Sequence, residues 1–232
     1  MSVMARLERI AVLQRLVEPG LVPVFHHADP AVAVKLVEAC GRAGLLAIEF
    51  TNRGDHAIDV FATLARHCRQ TCPDLVLGAG TIVDAPTAAL YLAQGAEFVV
   101  GPSFSESVAR LCNRRRVAYL PGCATATEIA QAEELGVEIV KLFPCESVGG
   151  PAFVRAILGP SPRTRILATG IAEVSPASLA AWFKAGIVAV GIGRELFRQE
   201  LVERRDYQAL ERRAAELVQW VRAARGPVAA PA

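Results

Sequence analysis

Three side chains carry most of the chemical potential of this sequence: Lys141, Glu49 and Arg53. Lys141 stands in the run EIVKLFP, residues 138–144, among Ile139, Val140, Leu142 and Phe143. Such neighbours suit a buried strand, where an ammonium group is costly to desolvate. A lysine held in apolar surroundings loses basicity and becomes an amine nucleophile for carbonyl compounds. Lysine is also scarce, with Lys35, Lys141 and Lys184 the only three. The arginines that supply the remaining permanent positive charge cannot form a Schiff base. The inert alternative is a lysine that snorkels from a strand end to water.

Regular alternation of strand and helix signals positions these groups. Residues 4–18 predict an amphipathic helix with Ile10, Leu13, Leu16 and Val17 on one side, ended by Pro19-Gly20. A strand follows at 21–25. Asp29-Pro30 then starts a helix to about 42, an Asp N-cap with Pro at the first helical position. The pattern continues with a strand at 46–50, a helix capped by Asp55 to about 72, and a strand at 75–79. Further strands are expected at 97–100, 117–120, around Lys141, at 165–169 and at 187–191, each followed by a helix. One of those helices starts at Ser175-Pro176. Residues 195–225 read as helical and 226–232 as a frayed tail. Eight strand-helix units with no linker or change of composition predict one α/β domain over residues 1–232. A closed (β/α)8 TIM barrel with an N-terminal helix and a C-terminal helical extension fits better than an open doubly wound sheet.

The bulk properties agree with an ordinary enzyme core. The chain has 232 residues, 53% of them hydrophobic, and a formal net charge of +2. That balance speaks against a nucleic-acid or membrane-surface binder, and the run Arg114-Arg115-Arg116 reads as a solvated helix end. No apolar run approaches the roughly 18 residues of a membrane span. The N-terminal residues alternate charge and apolar character instead of forming the core of a secretory leader. The six cysteines, at 40, 68, 72, 112, 123 and 145, form no CxxC pair and no zinc spacing with histidine. Reduced thiols in the cytoplasm are expected.

In such a barrel the chemistry collects at the C-terminal ends of the strands. Those ends carry Glu49 and Arg53 in IEFTNRG, Thr81 in GAGT, Pro102 in GPS and Pro121-Gly122 in LPG. They also carry Lys141 and Phe143 in KLFP, Thr169 and Gly170 in ATG, and Gly191, Gly193 and Arg194 in VGIGR. Strand alternation puts Ile139, Lys141 and Phe143 on one face, and Ala47, Glu49 and Thr51 on one face. The polar members should point into the barrel near its mouth. A carboxylate and an amine would then share a water-poor cavity, an arrangement suited to proton transfer beside a Schiff base. A structural ion pair is the bland reading. Arg53 sits on a loop where its fork can grip a carboxylate. The glycines of GAGT should let backbone approach a ligand closely. Gly170, Gly191 and Gly193 follow the last two strands, where barrels often hold a phosphate on backbone amides. His26 and His27, after the first strand, read as packing histidines.

The segments IEFTNRG, GAGT, GPS, LPG with Thr125 and Glu128 downstream, KLFP and VGIG occur in this order between residues 21 and 196. Together they resemble the pyruvate-dependent class I aldolases of the 2-keto-3-deoxy-6-phosphogluconate (KDPG) and 4-hydroxy-2-oxoglutarate (KHG) type. The resemblance implies a lyase that reversibly cleaves a 2-keto-4-hydroxy acid to pyruvate and an aldehyde. Lys141 would be the Schiff-base lysine and Glu49 the general acid/base. Arg53 would hold the pyruvyl carboxylate, Thr81 and Pro102 would line the pyruvate pocket, and Phe143 would pack near the Lys141 stem. Thr169, Gly170, Gly191, Gly193 and Arg194 would bind the rest of the substrate. It further implies a homotrimer, no metal and no cofactor beyond the covalent Schiff base. Two positions depart from the family pattern: Ile171 stands where a second glycine is common, and Arg194 where a serine is common. KDPG, KHG and a different aldehyde acceptor all remain open. The competing readings are a phosphate-binding barrel isomerase or epimerase and a non-catalytic sugar-acid binder.

Overall fold

The computed structural model describes residues 6–226. Residues 4 and 5 of the expected first helix and 227–232 of the expected tail lie outside the described residues. Nine strands form one sheet in which every pairing is parallel: β1 (Leu21–Phe25), β2 (Ala47–Thr51), β3 (Val76–Gly80), β4 (Phe98–Val100), β5 (Ala118–Leu120), β6 (Gly122–Cys123), β7 (Val140–Leu142), β8 (Ile166–Thr169) and β9 (Ala189–Ile192). The order is β5-β4-β3-β2-β1-β9-β8-β7-β6. Its two ends, β5 and β6, are one stretch of chain interrupted at Pro121. Proline lacks an N–H and breaks the ladder on one side. Its carbonyl still accepts the Lys141 N–H at 2.8 Å, and the Gly122 N–H reaches Gly101 O at 3.1 Å. The barrel therefore closes across the proline. The eight expected strand positions are all present, and the fifth runs on past the LPG turn instead of ending there.

Helices cover the outside. They are α2 (Pro30–Arg42), α3 (Ala57–Thr71), α4 (Ala85–Ala93), α5 (Glu106–Arg115), α6 (Ala126–Glu134), α7 (Gly150–Leu158) and α8 (Pro176–Ala185), after an N-terminal α1 (Arg9–Val17). Side-chain caps set the starts of α2, α4, α6 and α8. Asp29 accepts from the Ala31 N–H, Asp84 from Thr87 and Ser175 from Ser178, each followed by proline in the first turn. Thr125 and Glu128 form a reciprocal capping box on α6. Asp55 does not cap α3. His56 occupies that position with φ 61° and makes no capping bond. The helical stretch after residue 195 is also not continuous: α9 (Gln199–Glu203) and α10 (Tyr207–Arg225) are separate. Arg205 turns left-handed between them, with φ 54°, and Asp206 caps α10 through the Ala209 N–H.

Two apolar cores result. The larger lies between the outward strand faces and the helices, around Phe50, Phe61, Tyr91 and Trp182. The smaller fills the barrel interior with Val22, Ala47, Val76, Phe98, Ile139, Leu167 and Ala189, joined by Val12 and Leu16 of α1. Thus α1 plugs the N-terminal end of the barrel and leaves the other end open. Its buried face is Val12 and Leu16, with Leu13 and Val17 beside them, whereas Ile10 is exposed. Arg6 secures the approach to α1 by donating to Glu97 and to the carbonyls of Pro73 and Leu75.

Leu16 is fully buried at the junction of helix and barrel. Leu16→Ala should destabilise the fold by about 2–5 kcal/mol, through lost transfer energy and an unfilled cavity. Urea denaturation measures this directly. A loss within about 0.5 kcal/mol, the range of a surface change, would show that α1 is not docked in solution.

Candidate active site

The open end of the barrel is built from residues one layer above the apolar plug. Along β2, Ala47 faces the interior core, so Glu49 and Thr51 face inward above it. Along β7, Lys141 stands one inward step above Ile139. The expected parity therefore holds, and Lys141 and Glu49 meet. Lys141 Nζ lies 3.8 Å from Glu49 Oε1, with both residues buried at 6% and 3% exposure. That separation gives charge compensation without a hydrogen bond. Glu49 Oε1 has no hydrogen-bond partner among the described residues. The Phe143 ring sits 5.1 Å from the same Nζ and favours a cation over its face.

Space for this pair comes from glycines. On β3, Gly80 faces inward beside Glu49, and a Cβ there would lie 2.6 Å from both Glu49 Cγ and Cδ. A Cβ at Gly78 would strike the Phe98 ring. The glycines of GAGT thus admit neighbouring side chains into the barrel. Gly191 plays the same part for Thr169, whose hydroxyl would be 2.5 Å from a Cβ at that position. The Thr169 Oγ1 is itself buried and unpartnered.

Above this layer lies a cavity of about 600 Å³, lined by Arg53, Thr169, Gly170, Gly191, Gly193 and Arg194 together with His26, Thr51 and Ile171. Six expected site residues are therefore gathered on one side of the mouth, around the ends of β1, β2, β8 and β9. Lys141, Glu49 and Phe143 do not line this cavity. By register Lys141 is level with Leu167, one inward step before Thr169, and Glu49 is level with Val24, which is in the cavity lining. Thr81 and Pro102 also lie outside the cavity lining, after β3 and β4. Thr81 has φ 59°, an unusual left-handed conformation for a β-branched residue. A Cβ at Gly122 would overlap the Pro102 carbonyl, so that glycine lets the loop after β4 cross close to β6.

Arg53 is exposed, and its backbone is well anchored. Its N–H donates to Thr51 O at 2.9 Å, and the preceding Asn52 N–H donates to Gly80 O at 2.8 Å. Tyr91 Oη donates to the Asn52 side chain at 2.9 Å. Burial pushes the Tyr91 phenol up to about 12, which keeps it a donor. Neither Asn52 nor Tyr91 carries a sequence signal of this role, because the bond spans 39 positions. The neighbouring thiols are inert: burial pushes Cys123 and Cys145 up to about 12. Among the described residues no three His, Cys, Asp or Glu side chains gather as metal ligands, and no helix is long and apolar enough to cross a membrane.

A sequence profile described as "Aldolase: KDPG and KHG aldolase" matches residues 12–213. The chain belongs to the KDPG and KHG aldolase family. The 2-dehydro-3-deoxy-phosphogluconate aldolase of Pseudomonas aeruginosa is 34% identical over 203 residues, covering 87% of this chain and 89% of that protein. The 2-dehydro-3-deoxy-phosphogluconate aldolase of Treponema pallidum is 36% identical over 161 residues, covering 69% and 75%. Among solved structures, a 4-hydroxy-2-oxoglutarate/2-dehydro-3-deoxyphosphogluconate aldolase from TTHB1 superposes with a TM-score of 0.78 at 28% identity, covering 90% of this chain and 98% of that one. The barrel, its plugging helix and the long C-terminal α10 are thus the architecture of a KDPG/KHG-type aldolase.

The dependence of the Glu49 position on Gly80 can be measured as a coupling. Gly80→Ala should destabilise by about 1–3 kcal/mol through overpacking. In a Glu49→Ala background the same change should cost at least about 0.5 kcal/mol less, because the colliding carboxylate is gone. Strict additivity in urea denaturation would show that Gly80 is not there to admit Glu49.

Proposed function

We propose that this KDPG/KHG-type aldolase cleaves a 2-keto-4-hydroxy acid to pyruvate and an aldehyde through a Schiff base on Lys141, and runs the reverse condensation. The observation that carries this reading is the buried Lys141–Glu49 pair, held 3.8 Å apart at the mouth of the barrel. An amine nucleophile and a proton-transfer group are the two parts the reaction needs.

In the proposed sequence, uncharged Lys141 Nζ adds to the substrate C2 carbonyl and forms a carbinolamine. Loss of water leaves an iminium. Removal of the C4 hydroxyl proton then breaks the C3–C4 bond, and the bonding electrons flow into the iminium to give an enamine. The aldehyde departs. Protonation at C3 and hydrolysis release pyruvate and restore the amine. Glu49 is the group within reach of Lys141 that can exchange these protons, and its unpartnered Oε1 is free to do so. Arg53 holds the substrate carboxylate, as a guanidinium fork suits. Thr81 and Pro102 complete the pyruvate pocket, and Phe143 packs against the lysine. Thr169, Gly170, Gly191, Gly193 and Arg194 receive the aldehyde portion.

Two departures bear on the aldehyde portion. Ile171 adds bulk to the cavity wall, and Arg194 brings a positive charge to its rim. Both KDPG and KHG carry an anion at the far end and remain candidate substrates. We read residues 1–232 as one aldolase domain acting on small molecules in the cytoplasm as a homotrimer, with no metal and no cofactor other than the covalent adduct. The family resemblance supports these last points.

Borohydride reduction in the presence of pyruvate should give a stable mass gain at Lys141. Lys141→Arg should abolish trapping and lower cleavage by at least about a thousandfold. Folded protein that gains no mass at Lys141, or a variant that keeps full cleavage, would sink the assignment. Arg194→Ser should shift the preference between KDPG and its unphosphorylated form by about tenfold, the worth of one charge-assisted hydrogen bond. Pyruvate release from both substrates measures it, and an unchanged ratio would remove Arg194 from the site.

A further inference from the structure

Arg53 leaves the sheet at the end of β2 and is held from one side only. Beyond it, Gly54 and Asp55 are exposed and make no backbone–backbone hydrogen bond among the described residues. Gly54 and His56 both have left-handed backbones, with φ 80° and 61°. A Cβ at Gly54 would meet nothing within 4 Å, so no neighbour confines this stretch. The restraint on Arg53 therefore comes from Asn52, on its other side. The Asn52 N–H donates to Gly80 O on β3 at 2.8 Å. The Arg53 N–H reaches back to Thr51 O at 2.9 Å and closes a three-residue turn with Asn52 at its centre.

The Asn52 side chain supplies the third hold. It is opposite in parity to Glu49 and Thr51, so it points away from the barrel interior toward the helical shell. There Tyr91 Oη on α4 donates to its Oδ1 at 2.9 Å. The Tyr91 ring is 1% exposed and stands edge-on to the fully buried Phe61, with centroids 5.0 Å apart at 71°. The hydroxyl is therefore a fixed point, set by core packing. That packing needs only the ring, because Phe61 touches no polar atom of it. Among the described residues the Tyr91 hydroxyl and the Asn52 amide are each other's only side-chain hydrogen-bond partner. Their bond ties the residue before Arg53 to the rigid shell.

We propose that Tyr91, acting through Asn52, is a positioning residue for the substrate carboxylate: their bond fixes the backbone from which Arg53 reaches the cavity, and so sets affinity for the pyruvyl group without touching it. This rests on the reading above, in which Arg53 holds that carboxylate. An arginine side chain loses much rotamer freedom when it grips an anion. With its backbone fixed, only the side chain has to be ordered on binding. Without the Tyr91 bond the freedom of the exposed loop is added to that cost. The carboxylate takes no part in bond cleavage and is held alike in the ground state and the transition state. Losing the bond therefore weakens both equally, which raises KM and leaves kcat in place.

The test measures the KM for pyruvate in condensation with an aldehyde. Tyr91→Phe, which keeps the ring on Phe61, should raise it about three- to tenfold, matching the loss of one hydrogen bond, and leave kcat within about twofold. Asn52→Ala should do the same, and the double variant should be no worse than either single one, because each loses the same bond. In an Arg53→Gln background Tyr91→Phe should leave the pyruvate KM unmoved. A purely structural role for Tyr91 would lower kcat as well and persist in that background, overturning the proposal. An unchanged KM in folded Tyr91→Phe would do the same. Borohydride trapping with pyruvate separates the levels of the argument. Trapping at Lys141 with an unmoved KM in Tyr91→Phe refutes only the role of Tyr91. An Arg53→Gln variant with the wild-type KM removes Arg53 as the carboxylate holder, and the proposal with it. Absence of trapping in wild-type enzyme refutes the Schiff-base reading beneath both.

Discussion

An amine and a carboxylate stand 3.8 Å apart, both buried, inside this barrel, and the arrangement of its open end follows from keeping them there. Either charge alone would cost several kcal/mol to bury. Together they compensate each other, but at a distance too long for a hydrogen bond. The compensation therefore leaves Glu49 Oε1 without a hydrogen-bond partner among the described residues. A bidentate pairing would satisfy both groups and leave nothing for a substrate. The Phe143 ring, 5.1 Å from Nζ, adds an attraction that takes up no hydrogen-bond position.

Room for the pair is obtained layer by layer. Barrel interiors are ordinarily filled by bulky branched side chains. The lower layer here follows that rule with Val22, Val76, Ile139 and Leu167, and α1 closes it with Val12 and Leu16. Above it the inward positions on β3 and β9 are Gly78, Gly80 and Gly191, and side chains from neighbouring strands take the vacated volume. The result is rigid from below and open from above. Local strain sits at the same level: Thr81 holds a left-handed backbone immediately after Gly80, at a cost on the order of 1–3 kcal/mol. The N-terminal plug and the helical shell supply the stability that tolerates it.

Much of this was legible in the sequence because it is written in local chemistry. Asp-Pro and Ser-Pro steps announce helix starts, glycines announce their ends, and strand parity alone puts Lys141 and Glu49 on inward faces. What local chemistry does not contain is position around the barrel. The strand ends could be enumerated, but closure and register were needed to see that Arg53, Thr169 and Arg194 share a cavity from which Thr81 and Pro102 are absent. The same holds for Pro121, which reads as a strand terminator until the carbonyl on its far side is seen to carry the ladder onward to Lys141. The misreadings at Asp55 and after residue 195 are of another kind. At each a residue takes a left-handed conformation, His56 before α3 and Arg205 before α10, and redirects the chain.

The division of the mouth also explains how Ile171 and Arg194 can change what the enzyme accepts without changing what it does. In the proposed reaction, bond cleavage depends on β2 and β7, whereas the aldehyde portion meets the ends of β1, β8 and β9. Isoleucine at 171 keeps its backbone N–H, since proline alone removes that donor. Its effect is therefore steric: the side chain packs partly against the outer core and partly into the cavity wall. Arginine at 194 acts by charge and reach, through a side chain on the exposed rim. In the proposed reaction one residue adds bulk to the aldehyde half of the cavity and the other offers a positive charge to an anion there, and both stand apart from the glycine-lined positions beside which Lys141 and Glu49 are held.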